Sequence, residues 1–423
     1  MSRLLVAQRA LTVPGWVKDA LWRNARAVPS LDLRFADNKS LVDAVTGASL
    51  ITFTRASSGT FVGSAGLLQT AATDVPRFDH NPATGESLGL LVEESRTNLL
   101  LRSEEFDNAS WGTLNATVSA NTQVAPDGVT SADTITDVNG VTSANVGCFQ
   151  GITLADSTTY AMSCYVKAGT KTTCRVGIRD KAGTIIFANF NLTAVSTTVG
   201  NAVSSTIQDA GNGWYRCTTI CASSTGATSP RGLVYMDTGS YTANGTGTIH
   251  VWGADLQAGA TLSSYIPTTT AAVTRSASLA DLISSAIANN IRSFYVECSS
   301  PAVGTRGAVS LNDNTANERA DLLTSGTDPR LVVHDGGAEQ ANIDGGSVAA
   351  GVRTRVAVRI NINDFAISIN GGAVVSDTSG TLPTVDRLML GRTQAGEYLN
   401  GRIARFTGWT GLLPDSTLQD LTQ

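Results

Sequence analysis

The sequence is poor in charged residues and has no long apolar run. Of its 423 residues only 15% are Asp, Glu, Lys or Arg, against about 25% in typical soluble proteins. A disordered chain would carry more charge and fewer aliphatic residues, whereas hydrophobic residues make up 42% here. No apolar stretch approaches the roughly 18 residues of a membrane-spanning helix, and the 41 glycines fall far short of the one residue in three that collagen needs. These absences exclude a disordered or collagenous chain and argue against insertion into a membrane.

Positive charge is also scarce, with 30 basic against 35 acidic residues and a net charge of -5. Nucleic acids require a concentrated basic face, so we expect no nucleic-acid partner. A local exception is the basic N-terminal arm, which either docks on an acidic protein surface or is simply solvated. The residues of this arm that would dock are Arg9, Trp16, Lys18, Trp22, Arg23 and Arg26.

The common catalytic and cofactor motifs are missing. There are three histidines and no C-x-x-C pair, which leaves little from which to build a zinc site. Phosphate-binding glycine loops and the G-x-S-x-G elbow of hydrolases are absent as well. The adjacent acid pairs Glu93–Glu94 and Glu104–Glu105 would point to opposite faces of a strand. We therefore expect no enzyme, although acids drawn from different strands keep a glycan-degrading activity open.

The sequence gives weaker indications of a disulfide framework and of a calcium site. Five of the six cysteines lie between residues 148 and 221, and we interpret them as buried thiols that pack like small apolar residues, with a disulfide framework as the alternative. The oxygen-rich segment around Asp313 and Asp321 loosely resembles a calcium loop but lacks the spacing of an EF-hand. We expect no cofactor other than a possible calcium ion, and a turn rich in Asn and Asp explains the segment equally well.

Short apolar runs bounded by turn residues recur from residue 30 to the end of the chain. This spacing, with Asn-Gly turns among it, is typical of β-sandwiches, so we predict an all-β chain. Residues 279–287 fit a short helix or an irregular strand, and residues 414–421 predict a terminal helical turn. The predicted domains are residues 1–30, an arm with a short helix; 31–98, a β-rich connecting module; 99–275, a jelly roll; and 276–423, a second sandwich.

Aromatic residues are the strongest candidates for ligand contacts in the predicted jelly roll. Sugars present apolar C–H faces that stack on aromatic rings, while nearby polar groups bind the hydroxyls. Trp252 sits in a well-patterned strand, which favours a place in the core, whereas Tyr241 sits in a turn-rich stretch, which favours exposure. The candidate carbohydrate-binding residues are Trp111, Tyr235, Tyr241 and Trp252.

Several short motifs resemble tail-fibre, tail-spike and head-spike proteins of tailed bacteriophages and gene transfer agents. They are TFTRASSGTF at 52–61, PRFD at 76–79, GLLVEESRTNLL at 89–100 and SEEF at 103–106 with Trp111. The motifs GNGWYRC at 211–217, VWGADLQAGA at 251–260 and SYIPT at 264–268 resemble carbohydrate-binding-module-like jelly rolls. The motifs RVA at 355–357, SING at 368–371 and NGRIARF at 400–406 resemble concanavalin-A-like sandwiches of the laminin-G kind.

This resemblance implies a structural appendage of a virion, assembled in the host cytoplasm and exposed on the particle. Its N-terminus would attach to other virion proteins, and its sandwiches would adhere to bacterial surface polysaccharide. A homo-oligomer, with a trimer favoured, is the expected assembly. A polysaccharide depolymerase and a purely structural baseplate or decoration subunit remain alternatives. No catalytic residues come with the resemblance.

Three arginines of the resembling motifs, Arg55, Arg77 and Arg96, stand among apolar strands. Arginine forms bidentate pairs with carboxylates better than lysine does. We therefore predict a structural role for them, through pairs with Asp79, Glu93 or Glu94, rather than contact with a glycan.

Overall fold

A computed structural model describes residues 19–143, 145–237, 239–301 and 304–423. Strands make up 48% of the chain and helices 5%, so the predicted all-β class is confirmed. The chain forms two compact units. The first combines Met1–Thr52 with Ala280–Gln423, and the second is Phe53–Leu279. Within the described ranges, no helix is long and apolar enough to cross a membrane.

The elements follow one another in chain order. The N-terminal elements are α1 (Ala20–Ala25), β1 (Leu31–Leu33), α2 (Phe35–Asn38) and β2 (Thr52–Thr54). The next are β3 (Gly59–Val62), β4 (Leu68–Ala71), β5 (Phe78–His80), β6 (Ser87–Val92), β7 (Arg96–Asn98), β8 (Gly112–Leu114), β9 (Ala116–Val124), β10 (Thr130–Asp137), β11 (Thr142–Ser143), β12 (Gly147–Gly151), β13 (Thr159–Ala168), β14 (Thr173–Arg179), β15 (Ile185–Asn191), β16 (Ser196–Val199), β17 (Ser204–Asp209), β18 (Trp214–Ala222), β19 (Arg231–Met236), β20 (Tyr241–Thr242), β21 (Thr248–Ala258) and β22 (Val273–Arg275). The last are β23 (Leu279–Ile283), α3 (Ser285–Ala288), β24 (Ser293–Ser299), β25 (Arg306–Asn312), β26 (Arg319–Ser325), β27 (Asp328–Asp335), β28 (Ala338–Asp344), β29 (Thr354–Asn361), β30 (Asp364–Ile369), β31 (Val375–Asp377), β32 (Arg387–Leu390), β33 (Gly401–Trp409) and α4 (Asp415–Thr422).

The second unit is a sandwich of two six-stranded antiparallel sheets. Sheet I has the order β17-β18-β13-β21-β10-β9, and sheet II has the order β16-β15-β14-β19-β12-β8. Because side chains alternate along a strand, every second residue of β14, namely Cys174, Val176 and Ile178, enters the core between the sheets. The six cysteines are all free and buried, which confirms their interpretation as thiols.

The outer face of sheet I is covered by other parts of the same unit. Trp214, Trp252 and Tyr165 of this sheet form a second apolar cluster with Tyr265 from the segment after β21. Leu68 of β4 packs against the same cluster.

The predicted connecting module 31–98 does not form a body of its own. Its later part joins the sandwich, because β7 pairs with β22 and the Asn98 side chain donates to the carbonyl oxygens of Ala254 at 3.1 Å and Ile266 at 2.8 Å. Its first part, up to Thr52, belongs to the other unit. The second unit ends at Leu279.

The first unit is also built from two sheets. One contains the order β31-β30-β29-β24-β33, with β1 also paired to β33, and the other contains β23-β32-β25-β26-β27-β28. Helix α4, at the predicted terminal turn, packs Leu418 and Leu421 with Tyr295 and Trp409. Residues 279–287, for which the sequence left two possibilities, form strand β23 followed by the short helix α3.

The predicted short N-terminal helix is present as α1, and Asp19 caps it by accepting from the backbone nitrogen atoms of Leu21 and Trp22. Trp22 is 7% exposed, and its Nε1 donates to Asp32 Oδ2 at 2.9 Å. Asp32 also accepts from Arg405 Nε at 2.9 Å. The segment therefore folds onto its own unit through the indole that the sequence offered for docking.

Candidate functional site

The outer face of sheet II carries an unusual set of side chains, which we call the arginine–aromatic face. Since alternate residues of β14 and β15 fill the core, the others point outward. The face is formed by Phe149 of β12, Arg231, Leu233 and Tyr235 of β19, Arg175 and Arg179 of β14, and Phe187 and Asn189 of β15.

Strand register arranges these side chains in three rows. The middle row runs Phe149–Leu233–Gly177–Phe187. Gly177 has no side chain, and a Cβ atom there would lie 2.1 Å from the carbonyl oxygen of Ile186, so the backbones approach closely at this point. Four adjacent strands contribute to this row, so its two phenyl rings stand about 14 Å apart at the usual interstrand spacing of about 4.8 Å.

The two other rows are polar. Tyr235 pairs with Arg175, which in turn pairs with Asn189 on one side of the middle row. Arg231 pairs with Arg179 on the other side. The aromatic row is therefore flanked by hydrogen-bond donors at both edges.

Glycines on neighbouring strands make room for the two phenyl rings. A Cβ atom at Gly112, which pairs with Phe149, would lie 2.6 Å from that ring. A Cβ atom at Gly200 would lie 2.8 Å from the Phe187 ring. Any larger residue at either position would displace the ring, so these glycines preserve the ring positions.

Guanidinium groups contact both rings. Arg231 Cζ lies 4.2 Å from the centroid of the Phe149 ring, and Arg175 Cζ lies 4.4 Å from that of Phe187. Arg175 Nε also donates to Asn189 Oδ1 at 3.3 Å. Cation–π contacts of this kind fix the guanidinium plane while leaving N–H groups available for a ligand.

Tyr235 lies at the electrostatic centre of this face. Burial raises the pKa of its phenol, while the positive charges of Arg231, Arg175 and Arg179 each act in the opposite direction. All three positive charges therefore act on the same phenol. Phe149, Phe187, Arg179 and Arg231 are each partly exposed, so a ligand can reach rings and donors together.

The structure divides the four sequence-predicted carbohydrate-binding residues. Tyr235 belongs to the arginine–aromatic face, but it is only 3% exposed, so its ring is not open to a sugar. Trp111 is 5% exposed and stacks on Phe106, and Trp252 is 1% exposed within the cluster outside sheet I. These two tryptophans are core residues, and burial removes them from the candidate sugar contacts.

Tyr241 is partly exposed, and a cation lies over its ring as over those of Phe149 and Phe187. Lys171 Nζ lies 3.7 Å from the ring centroid and pairs with Asp237 Oδ2 at 3.1 Å. Burial, followed by the charge of Asp137, raises the pKa of the Tyr241 phenol. Its hydroxyl is buried, so only the outer part of this residue is open to a ligand.

The predicted structural arginines take different positions. Arg77 NH2 pairs with Glu93 Oε2 at 2.8 Å, and Arg96 NH2 pairs with Glu94 Oε1 at 2.5 Å. Arg55 instead donates to backbone carbonyl oxygens, including that of Ala72 at 2.7 Å. Pairing with a carboxylate was the expectation for all three, and Arg55 differs because its side chain ends among the carbonyl groups of the turn after β4.

Arg77 belongs to a buried group that we call the Glu93 cluster, consisting of Arg55, Arg77, Glu93 and Arg275. Arg275 NH2 lies 3.6 Å from Glu93 Oε2, and all four residues are at most 3% exposed. Burial, with the charges of Arg77 and Arg275, lowers the pKa of Arg55 to about 10. The sequence offered no signal for Arg275, since it lies in a Thr- and Ser-rich passage interpreted as a boundary.

The described residues that were predicted for docking or for calcium binding lie in the first unit, not on the arginine–aromatic face. Arg23 and Arg26 are exposed at α1, whereas Trp22 is buried against its own unit, which removes it as a docking residue. The remaining docking candidates, Arg9, Trp16 and Lys18, lie outside the described residues.

For calcium, the two acidic candidates do not converge. Asp321 is fully buried and pairs with Arg319 NH1 at 2.7 Å, while Asp313 Oδ1 accepts from the Thr315 backbone nitrogen at 2.8 Å. In the ranges that the structure describes, no three His, Cys, Asp or Glu side chains are grouped to hold a metal ion.

Sequence reasoning missed most of the arginine–aromatic face. A signal was present in the strands predicted at 173–179 and 184–191, where Arg175, Arg179 and Phe187 alternate with core residues. Alternation shows that these residues share the outer side of a strand. It does not show which strands pair, so Phe149 and Arg231 could not be placed beside them.

A scan against protein-family models finds no match, and a search of curated proteins finds none either. Among solved structures, the chain is similar to domain 4 of AbnA, a GH43 extracellular arabinanase from Geobacillus stearothermophilus, in complex with arabinotriose. The identity is 19% and the TM-score 0.29, over 38% of this chain and 82% of that one.

Two laminin structures are also similar. For domains LG4-5 of the mouse laminin alpha1 chain the identity is 8% and the TM-score 0.21, over 73% of this chain and 85% of that one. For the LG1-3 region of the laminin alpha2 chain the identity is 11% and the TM-score 0.16, over 62% of this chain and 58% of that one.

Proposed function

We propose that the chain is a carbohydrate-binding protein and that the arginine–aromatic face holds a short stretch of polysaccharide. One observation carries this proposal: the partly exposed phenyl rings of Phe149 and Phe187 stand beside guanidinium and amide groups on a single sheet. Apolar sugar faces stack on such rings while the flanking donors bind ring substituents.

The sheet supports this role by keeping the contacts in fixed positions. The side chains project from regular paired strands rather than from loops, so little order has to be gained when a ligand binds. The separation of about 14 Å between the two rings suits a short run of sugars better than a single one.

Binding without cleavage is part of the proposal. Glycoside hydrolysis generally uses two carboxylates flanking the scissile bond, and none of the eight side chains that define the face is acidic. The nearby Asp237 acts on Arg175 by raising its pKa, against the larger lowering effect of burial. We therefore propose an adhesive protein rather than a depolymerase.

The resemblance of residues 52–61 and 89–100 to phage spike and fibre modules supports a place on a virion. In this proposal the chain is an exposed appendage that attaches to other virion proteins and forms a homo-oligomer, with a trimer favoured. Several copies would multiply a weak single-site affinity for bacterial surface polysaccharide. A density map of a particle tests this: an arginine–aromatic face covered by neighbouring proteins would instead indicate a purely structural subunit.

The binding proposal is tested with the full chain and a panel of bacterial envelope polysaccharides in affinity electrophoresis. We expect retardation by at least one polysaccharide and a loss of at least tenfold in affinity, about 1.4 kcal/mol, in Phe187→Ala. Ile362→Ala serves as the matched control, because Ile362 is an exposed apolar residue of the other unit.

Unchanged binding in Phe187→Ala would show that another surface binds the glycan. Absence of binding to every polysaccharide by the folded chain would overturn the proposal itself.

A further inference from the structure

The arginine–aromatic face pairs two arginines across neighbouring strands. Arg179 and Arg231 are cross-strand partners in the register of β14 and β19. Side chains in this relation stand about 4.5–5.5 Å apart at their Cβ atoms, and like charges there repel. A pair of arginines in this position lowers the stability of the sheet unless something compensates for the charge.

The surrounding protein supplies little compensation to these two side chains. Among the described residues, neither Arg179 nor Arg231 forms an ion pair; Arg231 contacts the Phe149 ring. The nearby Lys171 and Lys181 already have acidic partners, Asp237 and Asp156. The third arginine of the face, Arg175, bonds to Asn189 and interacts with Asp237.

This local excess contrasts with the rest of the molecule. The chain as a whole has a net charge of -5, yet three guanidinium groups act on the single phenol of Tyr235. Arg179 and Arg231, beside aromatic rings, are complementary to a ligand that brings both an apolar face and a negative charge.

We infer that the ligand of the arginine–aromatic face is an acidic polysaccharide, whose sugar carboxylates sit between Arg179 and Arg231 while its rings stack on the phenyl groups. This inference rests on the proposed function. The planar guanidinium group matches a carboxylate in a bidentate geometry. A nucleic acid is disfavoured as the ligand, because neutralising a phosphate backbone requires more cations than this face presents.

The test uses the full chain and a panel of uronic-acid polymers, namely polygalacturonate, alginate and hyaluronate, each paired with its carboxyl-reduced neutral form. We expect at least one acidic polymer to bind at least tenfold more tightly than its neutral form in biolayer interferometry. Added salt should weaken binding of the acidic polymer and leave binding of the neutral one nearly unchanged.

Variants locate the effect on the face. Arg179→Gln and Arg231→Gln should each reduce affinity for the acidic polymer about tenfold and leave affinity for the neutral form unchanged. Arg330→Gln is the matched control, because Arg330 is an arginine of the other unit with its own partner, Asp344, at 2.8 Å. Circular dichroism checks that each variant is folded.

The possible outcomes distinguish the acidic-ligand inference from the carbohydrate-binding proposal. Equal binding of acidic and neutral forms would overturn the inference and leave the carbohydrate-binding proposal intact, as would an equal loss of both in the arginine variants. Binding of no polysaccharide, acidic or neutral, would overturn both. Tighter binding of a single-stranded oligonucleotide than of any polysaccharide would identify a nucleic acid as the ligand and overturn both.

Discussion

Arginine has opposite roles in two regions of the second unit. In the Glu93 cluster, Arg77 and Arg275 are buried around one carboxylate and Arg55 is bonded to carbonyl groups. On the arginine–aromatic face, Arg179 and Arg231 oppose each other and have no acidic partner in the described part of the chain. The cluster surrounds its arginines with one carboxylate and with backbone carbonyl groups, whereas the two opposed arginines of the face have neither kind of partner among the described residues. The role of an arginine here follows from its partners rather than from its local sequence.

The Glu93 cluster depends on its single carboxylate. Burial by itself would raise the pKa of Glu93, but the charges of Arg275 and Arg77, together with hydrogen bonds from Ser264, outweigh it and hold the pKa well below its usual value. The carboxylate thus stays ionised and offsets part of the buried positive charge.

The largest expected effect is the loss of this carboxylate. Glu93→Gln leaves three buried arginines without their counter-charge, so the free energy of unfolding should fall by about 3–5 kcal/mol, measured by urea denaturation. The adjacent Glu94→Gln is the control, because Glu94 pairs with Arg96 near the surface and should cost less than about 1 kcal/mol. Equal effects of the two substitutions would contradict the distinction between cluster and surface.

A smaller effect is expected on the pH dependence of the free energy of unfolding. Because the pKa of Glu93 is lower in the folded chain than its ordinary 4.5, only the unfolded chain takes up its proton just below pH 4.5. The stabilisation is complete above that pH and is lost as the pH falls toward the folded pKa. The stability of the wild-type protein should therefore decline by up to about 1.4 kcal/mol per pH unit more steeply than that of Glu93→Gln.

This pH comparison is made between the two proteins at each pH, by denaturant titration from pH 5 to acid. Asp255 contributes with the opposite sign, since burial raises its pKa to about 6 and its stabilisation is lost as the pH rises toward that value. Its contribution cancels in the difference. Parallel curves for the two proteins would show that Glu93 is not ionised in the folded state as described.

The smallest expected effect is a gain in stability when Arg179 is replaced. Arg179→Gln removes one member of a like-charged cross-strand pair, so the free energy of unfolding should rise by roughly 0.2–1 kcal/mol. The gain should shrink at high salt, where the repulsion is screened. A loss of stability at low salt would mean that Arg179 has a compensating partner, and the contrast with the Glu93 cluster would fail.

Much of the fold could be predicted from local pattern. Alternation in strands such as β14 and β18 marked the inward thiols, and turn residues marked the hairpins. The place of residues 31–52 could not be predicted, because it depends on pairing between β1 and the distant β33. The same limit explains why Trp111 and Trp252 stood among the candidate sugar contacts: their types suited a ligand, but the cover over each ring comes from elsewhere in the chain.

The sequence by itself determined which side chains of a strand face the core, that the thiols would be buried, and that short helices lie near both ends. Only the tertiary structure decided that Phe149, Phe187, Arg179 and Arg231 share one surface while Arg77 and Arg275 meet at Glu93. Side-chain alternation is a property of a single strand, whereas register is a property of pairs of strands that lie far apart in the chain.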